Sequence, residues 1–163
     1  MQSKKTIVVT GSAGFIGFHL SKKLLSDGHR VIGIDNFNDY YNPIIKEARS
    51  ALLKKQPDYA EHRIDLFDMD ALRKVFREIK ADVVCNLAAQ AGVRYSLTNP
   101  FVYERSNIAA FLNVLEIVRH SGIKRLIYAS SSSVYGGLKK LPFSEDDRVD
   151  TPVSLYAATK KAN

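Results

Sequence analysis

The sequence predicts an α/β protein built on a doubly wound parallel sheet, and three observations carry that prediction. Runs rich in Val and Ile alternate with segments of helical period, the pattern of repeated βα units. The first such run passes straight into a glycine-spaced turn, TIVVTGSAGFIG, the kind of strand-to-helix junction at which these sheets hold phosphates. The composition, 45% hydrophobic and 25% charged over 163 residues, suits one globular domain with a sizeable core.

Taken in order, strands are predicted at 5–10 (KTIVVT), 30–35 (RVIGID), 60–65 (AEHRID), 82–87 (DVVCNL) and 125–130 (RLIYAS). Helices are predicted near 15–27, 43–55, 69–79 and 101–121; in the last, Leu112, Leu115, Ile117 and Val118 recur at helical intervals. Gly28 and Gly122 stand where helix C-caps belong. The stretch 131–152 reads as loop, punctuated by Gly136-Gly137, Pro142 and Pro152, and SLYAATKKAN (154–163) reads as helix again. Its last residues, KKAN, carry no helix-ending signal, so the sequence is expected to be the first portion of a longer protein. No linker, repeat or low-complexity segment divides it.

Several function classes drop out. No apolar run approaches the roughly 20 residues that span a membrane, and MQSKKTIVVTG enters a strand pattern too soon to be a signal peptide, so a cytoplasmic protein without a membrane partner is expected. Cys85 is the only cysteine and lies in ADVVCNLAA, which excludes a disulfide framework and reads as a buried strand cysteine. His19, His29, His62 and His120 lack metal-ligand spacing, and no metal is expected. The net charge of +7 raises the question of nucleic acid. The basic residues, however, come as scattered pairs such as Lys22-Lys23 and Lys139-Lys140, without a basic helix, and no nucleic-acid partner is expected.

The chemistry begins at Gly11, Gly14 and Gly17, three residues apart. The first lets the chain turn at the strand end, the second lets a pyrophosphate approach the backbone, and the third lets the helix pack closely on the sheet. Phosphates would then face the unpaired N–H groups of a helix N-terminus. Glycines also serve plain turns, but here Asp35 follows at the end of the second strand, roughly 20 residues on, where a carboxylate accepts hydrogen bonds from an adenosine ribose. Its charge repels a 2′-phosphate, and the adjacent Asn36 and Phe37 offer no arginine in compensation, so NAD is expected rather than NADP. Asp65-Leu66 follow the third strand and LAAQAG (87–92) the fourth, where small residues let a dinucleotide lie across the strand ends.

Tyr156 and Lys160, four residues apart, share one helical face. A free tyrosine is protonated at neutral pH; a nearby ammonium favours the phenolate and makes it a usable base. An exposed surface pair is the plain alternative.

In order and spacing, TGSAGFIG, LAAQAGVRYS, YASSSSVYG and SLYAATKKAN resemble the extended short-chain dehydrogenase/reductase family of nucleotide-sugar epimerases and dehydratases. Within it, DNFNDYYNP, AAQAGVRYS and SSSSVYG are similar to the UDP-glucuronate 4-epimerase group of capsular polysaccharide biosynthesis. The resemblance implies a Rossmann-type doubly wound parallel sheet, with residues 1–163 as the NAD-binding domain, truncated before a C-terminal substrate domain. It assigns the pyrophosphate to Gly11, Gly14, Phe15, Ile16 and Gly17, the ribose to Asp35 with Asn36, and the adenine to Asp65 and Leu66. Leu87, Ala88 and Ala89 would line the dinucleotide, and Asn107 would be a further cofactor contact. Ser131, Tyr156 and Lys160 would be catalytic, the last two also touching NAD.

The reaction so implied takes a UDP-sugar, with Tyr156 accepting the 4-hydroxyl proton and Ser131 hydrogen-bonding that oxygen while carbon 4 is oxidised and then reduced on its other face. The full-length protein would be a homodimer, and this portion alone would be inactive. A 4-keto uronate is a β-keto acid, so an epimerase must keep its carboxylate from aligning for loss of carbon dioxide. Ser132 and Ser133 are candidates for that hold, with Arg94 helping there or at the diphosphate; the plain alternative is that the serines satisfy loop backbone. Dehydratases of the family carry an Asp-Glu pair where this sequence has Ser132-Ser133, which disfavours dehydration. A decarboxylase, a UDP-glucose 4-epimerase and, from another class, a non-catalytic dinucleotide-binding module stay open.

Overall fold

The computed structural model describes residues 3–163. Its elements run β1 (Thr6–Thr10), α1 (Phe15–Ser26), β2 (Arg30–Asp35), α2 (Pro43–Leu53), β3 (Tyr59–Arg63), α3 (Met69–Glu78), β4 (Val83–Asn86), α4 (Tyr95–Thr98), α5 (Pro100–Tyr103), a π-helical segment (Glu104–Ala109), α6 (Ala110–His120), β5 (Leu126–Tyr128), a 3₁₀ turn (Ser132–Tyr135) and α7 (Leu155–Ala162). The five strands form one parallel sheet in the order β3-β2-β1-β4-β5. The chain thus winds outward from β1 in one direction and, after crossing to β4, outward in the other.

Both faces of the inner strands β1, β2 and β4 are covered, which is why these read as largely continuous apolar runs rather than alternating ones. Successive residues of β1 divide between two cores. Val8 joins Ile32, Ile34 and Val84 under Leu72, Val75 and Phe76 of α3 and Val114 and Ile117 of α6. Ile7 and Val9 join Val31, Val83 and Cys85 on the opposite face, against Leu20 and Leu24 of α1. Burying each such side chain contributes roughly 1.5–3 kcal/mol. Cys85 sits within this second layer, and burial pushes its thiol pKa up. Three of the helices, α2, α3 and α7, start on side-chain caps: Asn42 accepts the Ile44 N–H at 3.0 Å with Pro43 as the first helical residue, Asp68 accepts the Ala71 N–H at 3.0 Å, and Ser154 accepts the Ala157 N–H at 3.0 Å.

The short helix α4 (Tyr95–Thr98) falls outside every expected helix, and three further departures from the expected outlines bear on the site. β3 ends at Arg63, which leaves Asp65 in the loop beyond it. The expected helix at 101–121 is interrupted by the π-helical segment around the buried Asn107. The extra residue in that turn accompanies a backbone carbonyl used outside the helix, since Asn107 O accepts from Asn163 Nδ2 at 2.7 Å. Within the expected loop 131–152, Ser131 Oγ accepts the Ser133 N–H at 3.2 Å and opens the short 3₁₀ turn.

Among the described residues no helix is long and apolar enough to cross a membrane, and no group of three or more His, Cys, Asp or Glu side chains is placed to hold a metal ion.

Candidate functional site

The strand order reverses between β1 and β4, and their carboxyl ends diverge there into a crevice, the place where open α/β sheets take ligands. Thr10, the last residue of β1, braces the crevice floor. Its hydroxyl donates to Asn86 Oδ1 at 2.7 Å and accepts the N–H groups of Leu87 and Ala88, both at 3.1 Å. The cleft encloses about 740 Å³ including its open mouth, and Gly11, Gly14, Asp35, Asn36, Asp65, Leu66, Leu87, Ala88 and Ala89 all line it. Residues selected from four separate stretches of sequence therefore meet in one cavity.

The glycine turn is built for close approach. Gly11 adopts φ 69°, a left-handed conformation, and a Cβ there would come within 3.0 Å of the Ala88 backbone nitrogen. At Gly17 a Cβ would overlap the Gly11 carbonyl oxygen outright, so only glycine lets α1 begin this near the turn. Gly14 is the N-cap residue of α1 and provides no side-chain cap, so the first N–H groups of the helix keep their donors for a ligand. Phe15 and Ile16, at the start of α1, are 67% and 64% exposed, a large apolar area left open beside the crevice.

Asp35 is buried and already holds donors: the Ala13 N–H reaches Oδ2 at 3.1 Å and the Phe37 N–H reaches Oδ1 at 2.8 Å. Phe37 takes φ 53°, unusual for a non-glycine residue, as its N–H turns back to the carboxylate. Along the chain, the residues next to Asp35, Asn36 and Phe37, supply no cation. The structure brings one from α2: Lys46 is buried, with Nζ 3.5 Å from Asp35 Oδ1 and 2.7 Å from Asn38 Oδ1, and it lines the same cleft. Arg49, one turn further along α2, donates to the Ala13 carbonyl at 3.3 Å and to the Tyr41 hydroxyl at 3.3 Å. Burial pushes the Tyr41 pKa up, partly countered by the Arg49 charge.

Asp65 lies between the Phe67 N–H, which it accepts at 2.9 Å, and Arg105 at 3.3 Å. Asn113 Nδ2 donates to the Leu66 and Phe67 carbonyls at 3.0 and 2.9 Å and fixes this rim of the cleft. Asn107 lies beneath the rim, fully engaged: it accepts the Gln90 N–H at 2.8 Å and donates to the Gln90 carbonyl at 3.0 Å and to Thr159 Oγ1 at 3.1 Å. It thereby clamps the segment after β4 to α7.

α7 carries the two residues selected by spacing. Lys160 is buried, and burial lowers its pKa. Its Nζ donates to the Ala129 carbonyl, just past β5, at 2.7 Å and to Asn163 Oδ1 at 3.2 Å. Tyr156 is half-buried, its ring meeting that of Tyr103 edge-on at 6.0 Å and its N–H donating to Ser96 Oγ at 3.3 Å. The Tyr103 hydroxyl in turn donates to the Ala91 carbonyl at 2.7 Å. Ser131 lies two residues beyond Ala129, so the serine and the Tyr-Lys helix are anchored to the same strand end. Among the described residues no hydrogen bond joins the Tyr156 hydroxyl to Ser131 or Lys160. Ser132 and Arg94 are exposed and Ser133 is half-buried. Thr10, Lys46, Arg49, Ser96 and Tyr103 were not anticipated: Thr10 and Ser96 lie within TGSAGFIG and LAAQAGVRYS, but the partners that give all five their roles are distant in sequence or set by the fold.

This arrangement can hold an extended dinucleotide. Glycine backbone and helix N–H groups suit a pyrophosphate, and a carboxylate with an ammonium beside it suits ribose hydroxyls. Small residues at 87–89 suit a flat ring, while a tyrosine and a lysine stand at the far end of the sheet edge.

Comparison with known proteins agrees. A family model described as GDP-mannose 4,6 dehydratase matches residues 8–163. Protein CapI of Staphylococcus aureus is 54% identical over 157 residues, covering 96% of this chain and 47% of CapI. UDP-glucuronate 4-epimerase 4 of Arabidopsis thaliana is 52% identical over 158 residues, covering 96% of this chain and 36% of that protein. Among solved structures, UDP-glucuronic acid 4-epimerase from Bacillus cereus, in complex with UDP-glucuronic acid and NAD, superposes with a TM-score of 0.86 at 37% identity, over 96% of this chain and 49% of that one. The chain spans about half the length of these relatives, or less.

Proposed function

The chain belongs to the GDP-mannose 4,6 dehydratase family, and from that premise we propose that it is the NAD-binding part of a nucleotide-sugar 4-epimerase converting UDP-glucuronate to UDP-galacturonate through a 4-keto sugar. The observation that carries the reading is the meeting of the glycine turn, Asp35, the 87–89 segment and the α7 Tyr-Lys pair along one carboxyl edge of the sheet. Similarity to the plant and Bacillus cereus UDP-glucuronate epimerases supports that substrate within the family. Ser132-Ser133, in place of the acidic pair a dehydratase needs, supports epimerisation over dehydration.

In this reading residues 1–163 form the dinucleotide domain, and most contacts to sugar and uridine belong to sequence outside it. When bound, NAD supplies the oxidising and reducing capacity that carbon 4 needs. The chain's own residues do the rest. Gly11, Gly14, Phe15, Ile16 and Gly17 hold the pyrophosphate: the glycines let it approach the backbone, the Gly11 and Gly14 N–H groups being spent on the Ile34 and Gly11 carbonyls, and the first-turn N–H groups of α1 face it. Asp35 and Asn36 hold the adenosine ribose, Asp65 and Leu66 flank the adenine, and Leu87, Ala88 and Ala89 line the remainder, with Asn107 bracing them from below. Tyr156 accepts the proton of the sugar 4-hydroxyl and returns it, Lys160 favours the phenolate by its charge, and Ser131 hydrogen-bonds the 4-oxygen.

Titration with NAD and NADP tests the cofactor half of the reading. Saturable binding with NAD preferred is expected, and binding of neither would set it aside. For the complete protein, Tyr156→Phe should leave NAD binding nearly intact and lower turnover by about 10²–10⁴-fold, the usual range for losing a general acid–base group. Near-normal turnover would move the base elsewhere. The uronate half is tested by Ser132→Ala with Ser133→Ala, which should raise the share of UDP-4-keto-pentose among the products. An unchanged product ratio with activity retained would leave those serines as loop structure. This chain alone should show little or no turnover.

A further inference from the structure

Asp35 is surrounded by positive charge. Lys46 approaches Oδ1 from α2, with its side chain only 6% exposed, as is that of Asp35. Ala13, whose N–H holds Oδ2, is held at its carbonyl by Arg49. Lys46 has one other polar partner among the described residues, Asn38 Oδ1 at 2.7 Å, and its ammonium stands 5.2 Å from the Tyr41 ring centroid. An ammonium has three donors, so these two acceptors leave one N–H over, and Lys46 lines the cleft. The other acidic residue of the cleft, Asp65, is matched by Arg105 on the opposite rim. At the ribose end, a single carboxylate therefore stands against two cations.

We propose, resting on the dinucleotide reading above, that Lys46 is a cofactor-binding and specificity-determining residue: it donates to the adenosine ribose hydroxyls in concert with Asp35. The preference for NAD over its 2′-phosphorylated form then depends on the Asp35 carboxylate keeping that ammonium engaged. In the wild type Lys46 is drawn to Asp35 and Asn38, and a 2′-phosphate would have to sit against the carboxylate. Removing that charge leaves a desolvated ammonium at the place a 2′-phosphate would occupy, with Arg49 one turn further along α2 on the Ala13 carbonyl. Such a pair makes charge-assisted hydrogen bonds. No new cation has to be introduced, because α2 already presents both. The glycine turn and the 87–89 segment are untouched, so the rest of the dinucleotide binds as before.

The test is a calorimetric titration of wild type, Asp35→Asn, Lys46→Met and the double variant with NAD and with NADP, each protein first checked by circular dichroism melting. Asp35→Asn is nearly isosteric and keeps an oxygen for one of the backbone N–H groups, and Lys46→Met keeps the buried stem. Asp35→Asn should shift the NADP-to-NAD affinity ratio at least tenfold toward NADP, and that gain should weaken as salt is raised. Adding Lys46→Met should remove most of it. Lys46→Met alone should weaken NAD about threefold or more. The proposal is overturned if the shift is the same with and without Lys46→Met, or if Lys46→Met alone leaves NAD affinity unchanged. Should Asp35→Asn fail to fold, that last measurement still decides. If the wild type binds neither dinucleotide, the cofactor reading itself falls and takes this inference with it; if it binds NAD and only the variants disobey, the cofactor reading stands and Lys46 is structural.

Discussion

At Thr10 one hydroxyl satisfies three groups at the point where the sheet parts, and its removal should be felt in both stability and binding. Thr10→Val keeps the shape but strands the Leu87 and Ala88 N–H groups and the Asn86 oxygen, all partly or fully buried. Leaving buried polar groups unpaired costs about 1–3 kcal/mol. Urea denaturation should read a loss in that range, with weakened NAD affinity because the 87–89 segment loses its anchor. Gly17→Ala should be worse for binding, since its Cβ would collide with the Gly11 carbonyl and push α1 away from the turn. Melting and NAD titration of that variant check it, and wild-type values in both would contradict the packing argument.

Among the elements, α7 matters most to the site because Tyr156 and Lys160 ride on it. Its start rests on the Ser154 side chain, so Ser154→Ala should cost roughly 1 kcal/mol by denaturant titration. β3, at the outer edge of the sheet, offers a pH test. Burial pushes the Glu61 carboxyl pKa up, but hydrogen bonds from Lys54, Ser50 and Arg63 outweigh that, and its pKa ends below the ordinary value. A lowered carboxylate pKa means the unfolded chain binds the proton more readily. The stabilisation is therefore complete above the unfolded pKa of about 4.3 and is lost as pH falls through the folded value. The stability advantage of wild type over Glu61→Gln should be present at pH 7 and shrink below about pH 4. A constant difference across that window would show that charge has no part in holding the β3 edge.

At the scale of the molecule, the sheet ends at β5, whose outer edge has no partner strand among the described residues and whose Ile127 and Tyr128 are 59% and 43% exposed. Unpaired edges with apolar side chains recruit other chains. Sedimentation velocity of this chain should show concentration-dependent self-association, reduced by Ile127→Lys. A strictly monomeric protein at high concentration would show that the edge is protected.

The order of strands and helices, the glycine turn and Asp35 were legible along the chain, because periodicity, caps and turns are local and a strand-to-helix junction carries its residues within one short stretch. The Tyr-Lys pair was legible for the same reason, four residues being one helical turn. The interruption of the long helix at Asn107 was not, because the partners of Asn107 lie far off in sequence, Asn163 being 56 residues away. Nor was the company of Asp35: Lys46 reaches the carboxylate, and Arg49 the Ala13 carbonyl beside it, only because α2 packs against the β2 end. Spacing in sequence sets which residues share a turn or a face. Which of those faces meet, and so whether a carboxylate stands alone or beside an ammonium, is decided by strand order and helix packing.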